Sequence, residues 1–134
     1  MISPHFHHFD GCWVGFDFDG TLAKCVAWDS VNNTLPLGEP IPAMVATIKA
    51  YLSAGIECRI LTARVAACNR ANSTGAVDDM EFAMDQVGKI SAWCAQHIGR
   101  VLEVTATKDM YMSLLYDDRA IQVERDTGRL IAFA

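Results

Sequence analysis

Apolar residues fall in short runs and helical stripes along this chain, separated by polar stretches rich in proline, glycine and asparagine. Trp13-Val14-Gly15-Phe16 is a short apolar run ending in acids, which reads as a buried strand. Lys24 to Pro42 holds three prolines, two adjacent asparagines and Gly38, and predicts a loop or flap. Pro42 suits a first helical turn; Met44, Val45, Ile48, Tyr51 and Leu52 then recur at helical spacing until Gly55 stops them. Ile56 to Leu61 is a second apolar strand, ended by Thr62-Ala63-Arg64. Asn69 to Asp79 reads as a loop, and a helical stripe runs from about Met80 to Ile98 through Met84, Val87, Ile90 and Cys94. Trp93 lies within that periodicity and reads as core.

Val101 to Thr105 predicts a third strand and Met112 to Tyr116 a fourth, ending in Asp117-Asp118. Ala120 to Glu124 and Arg129 to Phe133, joined across Asp126-Thr127-Gly128, read as a C-terminal β-hairpin. This alternation predicts one α/β domain, a Rossmann-like three-layer sandwich with a mainly parallel sheet.

Polar residues then mark the C-terminal ends of three predicted strands: Asp17 and Asp19, Thr62, and Asp117 with Asp118. Ligands bind at that edge of open α/β sheets. Carboxylates converging there repel one another unless a cation sits between them. In Asp17-Phe18-Asp19-Gly20-Thr21, alternation would point both acids the same way, and Gly20 would allow a turn with close backbone approach. Oxygens from this turn plus Asp117 or Asp118 suit Mg²⁺ better than zinc, because no Cys or His is needed.

Asp17-x-Asp19-Gly20-Thr21, Thr62, Lys108 and Asp117-Asp118 resemble, in order and strand context, the four motifs of the haloacid dehalogenase-like hydrolase superfamily. The resemblance spans about Trp13 to Arg119, and the Ile-Leu-Thr-Ala-Arg stretch is similar to compact, deoxyribonucleotidase-like branches. It implies a HAD-like core and an aspartyl-phosphate enzyme, with Asp17 as nucleophile and Asp19 as general acid and then base. It also implies that Thr62 binds a phosphate oxygen and that Lys108 neutralises charge. Mg²⁺ would be held by Asp17, the Asp19 backbone carbonyl, Asp117 and Asp118. Dehalogenases of the superfamily lack an acid where Asp19 stands and the ATPase pumps carry Thr, so Asp19 implies phosphatase or phosphotransferase chemistry. Lys108 stands closer to Asp117 than in many members. Ala23 to Ile41 and Val65 to Asp79 are too short for a separate cap, so the core would be nearly capless and its site open.

The expected activity is Mg²⁺-dependent hydrolysis of a small phosphomonoester. A phosphotransferase or mutase using the same intermediate, a phospho-accepting signalling module and an inactive homologue that binds a ligand are the rivals. Arg64 and Arg119 suit either a phosphate clamp or a structural ion pair, and Trp28 either stacks on a ring or packs a lid. The His5, His7 and His8 tract reads as a mobile terminus ahead of a transition-metal site. Net charge of −5 argues against a nucleic-acid polymer as partner. Five cysteines without a CxxC pair predict reduced, buried thiols in a cytoplasmic protein. No apolar run reaches membrane-spanning length and no signal-peptide order opens the chain. A homo-oligomer would be one way to close an open site.

Overall fold

In a computed structural model of the chain, residues 11–68 and 76–132 are described. The His5, His7 and His8 tract and most of the predicted loop from Asn69 lie outside them. Strands β1 (Trp13–Phe16), β2 (Glu57–Leu61), β3 (Glu103–Thr105) and β4 (Met112–Tyr116) form one sheet in the order β3-β2-β1-β4. Every pairing in that sheet is parallel. Helix α1 (Pro42–Ser53) joins β1 to β2 and helix α2 (Ala76–His97) joins β2 to β3. Strands β5 (Gln122–Val123) and β6 (Leu130–Ala132) pair antiparallel as a separate ladder.

Local chemistry sets these bounds. Pro42 opens α1 behind an extended Ile41, and Gly55 at φ +78° closes it, with Ile56 N–H donating to Tyr51 O at 3.0 Å. Gly99 at φ +98° ends α2 in the same way, its N–H donating to Cys94 O at 3.0 Å. The buried stripe of α2 is rotated from the predicted one. Met84 is exposed, whereas Ala83, Gln86, Ile90, Trp93 and Cys94 face inward. The helix also starts at Ala76, four residues before the predicted Met80.

Register Val14↔Cys58 and Phe16↔Ile60 puts these four side chains on one face of the sheet. Ile48 and Tyr51 of α1 and Ile90, Trp93 and Cys94 of α2 share their core cluster. Helices α1 and α2 therefore cover the same face, and the predicted three-layer sandwich gives way to two layers among the described residues. The reason lies in the link from β3 to β4. It runs from one edge of the sheet to the other through residues 106–111 only, too few for a crossover helix.

Side chains finish the second face. The Arg59 guanidinium lies 4.6 Å from the Trp13 ring centroid and reaches Glu57, Glu103 and Asp109 at 2.6, 3.1 and 3.4 Å. Asp109, on the crossing link, accepts a 2.8 Å hydrogen bond from Trp13 Nε1. Buried Cys58 and Cys94 have their thiols pushed up to about 12 by desolvation, so both stay protonated near neutral pH. No helix among the described residues is long and apolar enough to cross a membrane.

Candidate active site

The turn after β1 is built on Phe18. Its ring is buried edge-on against Trp93, with centroids 4.9 Å apart, and its carbonyl accepts the N–H groups of Thr21, Leu22 and Ala23 at 3.2, 3.0 and 2.9 Å. Extension therefore stops after Asp17, whose N–H still continues the ladder to Tyr116 O at 2.9 Å. Asp17 and Asp19 both line a cleft of about 380 Å³ at the C-terminal edge of the sheet, but their carboxylates meet different partners. Thr62, Asp117 and Arg119 line the same cleft.

Asp17 turns toward the end of β4. One oxygen each from Asp17, Asp117 and Asp118 lie within 4.8 Å of one another, a hard oxygen set that suits a divalent cation. Partial burial, a hydrogen bond with Asp118 and the negative charge of Asp117 push Asp17 up from its ordinary 3.8 to about 7. Asp118 is held below the usual carboxylate range, first by that hydrogen bond with Asp17. One proton shared between them offsets the repulsion that a cation would otherwise relieve.

Thr21 and Gly20 fix the third member. Thr21 Oγ1 donates to Asp118 Oδ1 and accepts the Asp118 N–H, both at 3.1 Å. A Cβ on Gly20, whose φ is +85°, would stand 2.5 Å from Asp118 Oδ2. Only glycine lets the turn take this shape so close to the carboxylate.

Asp19 is engaged elsewhere. Arg64 Nε and Nη2 donate to its two oxygens at 2.7 and 2.6 Å, a fork on both. The Arg64 side chain is only 4 % exposed, and its other donors reach Leu35 O at 3.1 Å, Pro36 O at 2.9 Å and Gln86 Oε1 at 2.8 Å. Thr62 helps to hold this corner. Its N–H donates to Thr105 O at 2.9 Å, and its Oγ1 accepts the Arg64 N–H at 3.2 Å.

The predicted residues thus separate. Asp17, Asp19, Thr62 and Asp117 share the cleft, and Asp118 joins through the acid cluster. The Asp19 side chain is not part of that cluster. Lys108 is exposed and lines a different hollow, along β4 and β5 beside Asp117. It sits on the short link from β3 to β4, and the cation lining the cleft is Arg119. Trp28 is 51 % exposed and lines neither hollow.

Sequence reasoning did not assign the Arg64 clamp, Gln86 or the Thr21 contact. A polar residue on the buried stripe of α2 was the readable signal for Gln86, and an arginine just past a strand end was the one for Arg64. No protein-family model, curated protein or solved structure matches the chain.

Proposed function

We propose that this protein is a Mg²⁺-dependent phosphatase that hydrolyses a small phosphomonoester through an aspartyl-phosphate on Asp17, on a nearly capless core similar to the haloacid dehalogenase-like hydrolases. The observation that carries the reading is the convergence of Asp17, Asp117 and Asp118 within 4.8 Å, beside Thr62, at the edge where parallel strands present ligands. Three acids held together at one spot repel one another until a proton or a cation sits among them, and a divalent cation can replace the proton there. Phosphoryl transfer needs such an arrangement, because it is mainly positioning and charge neutralisation.

In this reading an Asp17 oxygen attacks phosphorus, and the ester P–O bond breaks. The leaving oxygen takes a proton from Asp19. Water then attacks the phosphoaspartate, giving its proton to Asp19, and inorganic phosphate leaves as Asp17 is regenerated. Thr62 donates to a phosphate oxygen. Asp17, Asp117 and Asp118 would hold Mg²⁺, which supplies charge neutralisation around the phosphoryl group. Arg119 supplies the positive side chain of the cleft, a part that the resemblance would give to Lys108.

A phospho-accepting module is the second reading, favoured by one observation: both oxygens of Asp19 are already taken by Arg64. If the clamp kept Asp19 from activating water, the phosphoaspartate would be long-lived. Turnover of an aryl phosphate and a panel of nucleotides and sugar phosphates, with Mg²⁺ and with EDTA, tests the proposal. Multiple turnovers that EDTA abolishes and Mg²⁺ restores are expected. A single stoichiometric burst would favour the module, and full activity in EDTA would contradict both readings.

A further inference from the structure

Arg64 has more partners than a simple ion pair requires. Its guanidinium meets the turn after β1 through both Asp19 oxygens, the flap through the Leu35 and Pro36 carbonyls, and α2 through Gln86 Oε1. Five donated bonds use the planar fork fully, and a lysine could not reproduce them. The flap itself is tied down at its base, where Lys24 N–H donates to Glu39 O at 2.9 Å and Ile41 N–H to Leu22 O at 2.8 Å. Gly38 lets its two sides close, since a Cβ there would meet Lys24 O at 1.9 Å. Trp93 Nε1 donates to Gly38 O at 3.0 Å, a second tie between the flap and α2.

We propose that Arg64 is the positioning residue for Asp19, fixing the carboxylate against the flap and α2 so that its remaining oxygen lone pairs face the cleft. The proposal rests on the phosphatase reading, in which Asp19 carries the proton. A carboxylate has roughly four acceptor positions, and a two-point clamp leaves about half of them for a proton in flight. Arg64 lines no part of the cleft, so it acts through Asp19 and touches no substrate.

The test is the dependence of kcat/KM on the leaving group, which reads phosphoenzyme formation apart from its hydrolysis, measured over aryl phosphates of graded leaving-group pKa with Mg²⁺ present. A poor leaving group needs the proton from a well-placed acid; an activated one does not. Arg64→Lys is expected to lower kcat/KM on the order of 10²-fold for poor leaving groups and far less for activated ones, whose turnover slows instead at hydrolysis of the phosphoaspartate. The steepened slope should match that of Asp19→Asn. Arg64→Lys added to Asp19→Asn should cost almost nothing further.

An Arg64→Lys variant that lowers kcat/KM for every leaving group alike, or whose loss multiplies with that of Asp19→Asn, would overturn the inference while leaving the phosphatase reading intact. A wild-type protein that turns over no phosphomonoester would overturn that reading first. Should Arg64→Lys fail to fold, Gln86→Met removes one anchor of the guanidinium and leaves the fork on Asp19. It should steepen the same slope to a smaller degree, and an unchanged slope would overturn the proposal.

Discussion

The surroundings of Asp17 gather like charge, with Asp117 and Asp118 beside it, whereas those of Asp19, two residues on, gather donors from Arg64. Both residues are half-buried aspartates on one turn, and both line one cleft. The buried Phe18 ring between them and the positive φ of Gly20 after them divert the chain, so each carboxylate meets a separate environment. Identical side chains can therefore be given different work by placement alone. Asp17 stands where a cation would relieve its repulsion. Asp19 stands where it is already compensated and held still.

The largest effect on this contrast is expected from Gly20→Ala. The added Cβ forces a left-handed residue to crowd Asp118, at a strain of about 1–3 kcal/mol. The Asp17 side should suffer most, with Mg²⁺ affinity falling about tenfold or more, as titration calorimetry would read. Unchanged Mg²⁺ binding would mean that Asp118 is not part of the ion site.

Next comes the cation of the cleft. Arg119→Ala is expected to raise KM about tenfold, while Lys108→Ala, in the neighbouring hollow, should change it less than about twofold. The reverse ranking in steady-state kinetics would restore Lys108 to the role that the motif resemblance implies.

The smallest effect concerns stability. Folding raises Asp17 from 3.8 to about 7, so the folded state holds that proton more tightly than the unfolded one. Its stabilisation is fully present below about 3.8 and is lost as pH rises through about 7. The lowered Asp29, Asp109, Asp118 and Glu124 contribute the other way, but only as pH falls below their ordinary 3.8 to 4.5. In metal-free buffer the Tm difference between wild type and Asp17→Asn should therefore move against wild type from about pH 5 to pH 8. Saturating Mg²⁺ should reverse the trend, because the ion binds the deprotonated form. A pH-independent difference would mean that Asp17 is not crowded.

Much of the frame was readable because local signals agreed. Strands β1 and β4 run Trp13–Phe16 and Met112–Tyr116, as their apolar runs bounded by acids predict. The acids at their ends meet because the strands are parallel neighbours. The clamp on Asp19 was not readable, since Arg64 lies 45 residues away and its choice of partner depends on the turn at Gly20. Nor was the hollow that Lys108 lines, which depends on how the short link from β3 to β4 crosses the sheet. The predicted stripe of α2 erred at Met84 because apolarity was taken as burial, while Gln86 is buried beneath Arg64.

The contrast between the two acids is tested most directly by where phosphate is trapped. Asp17→Asn and Asp19→Asn would each be mixed with an activated aryl phosphate and Mg²⁺, quenched in acid, and read by peptide mass spectrometry. If the proposed mechanism holds, Asp19→Asn keeps the nucleophile and loses the proton shuttle, and turnover should slow on the order of 10²–10⁴-fold. It should accumulate a phosphate on the peptide carrying Asp17, removable by hydroxylamine, whereas Asp17→Asn should carry none. Phosphate on another residue, or no phosphoenzyme with equal residual turnover in both variants, would contradict the division of labour between Asp17 and Asp19.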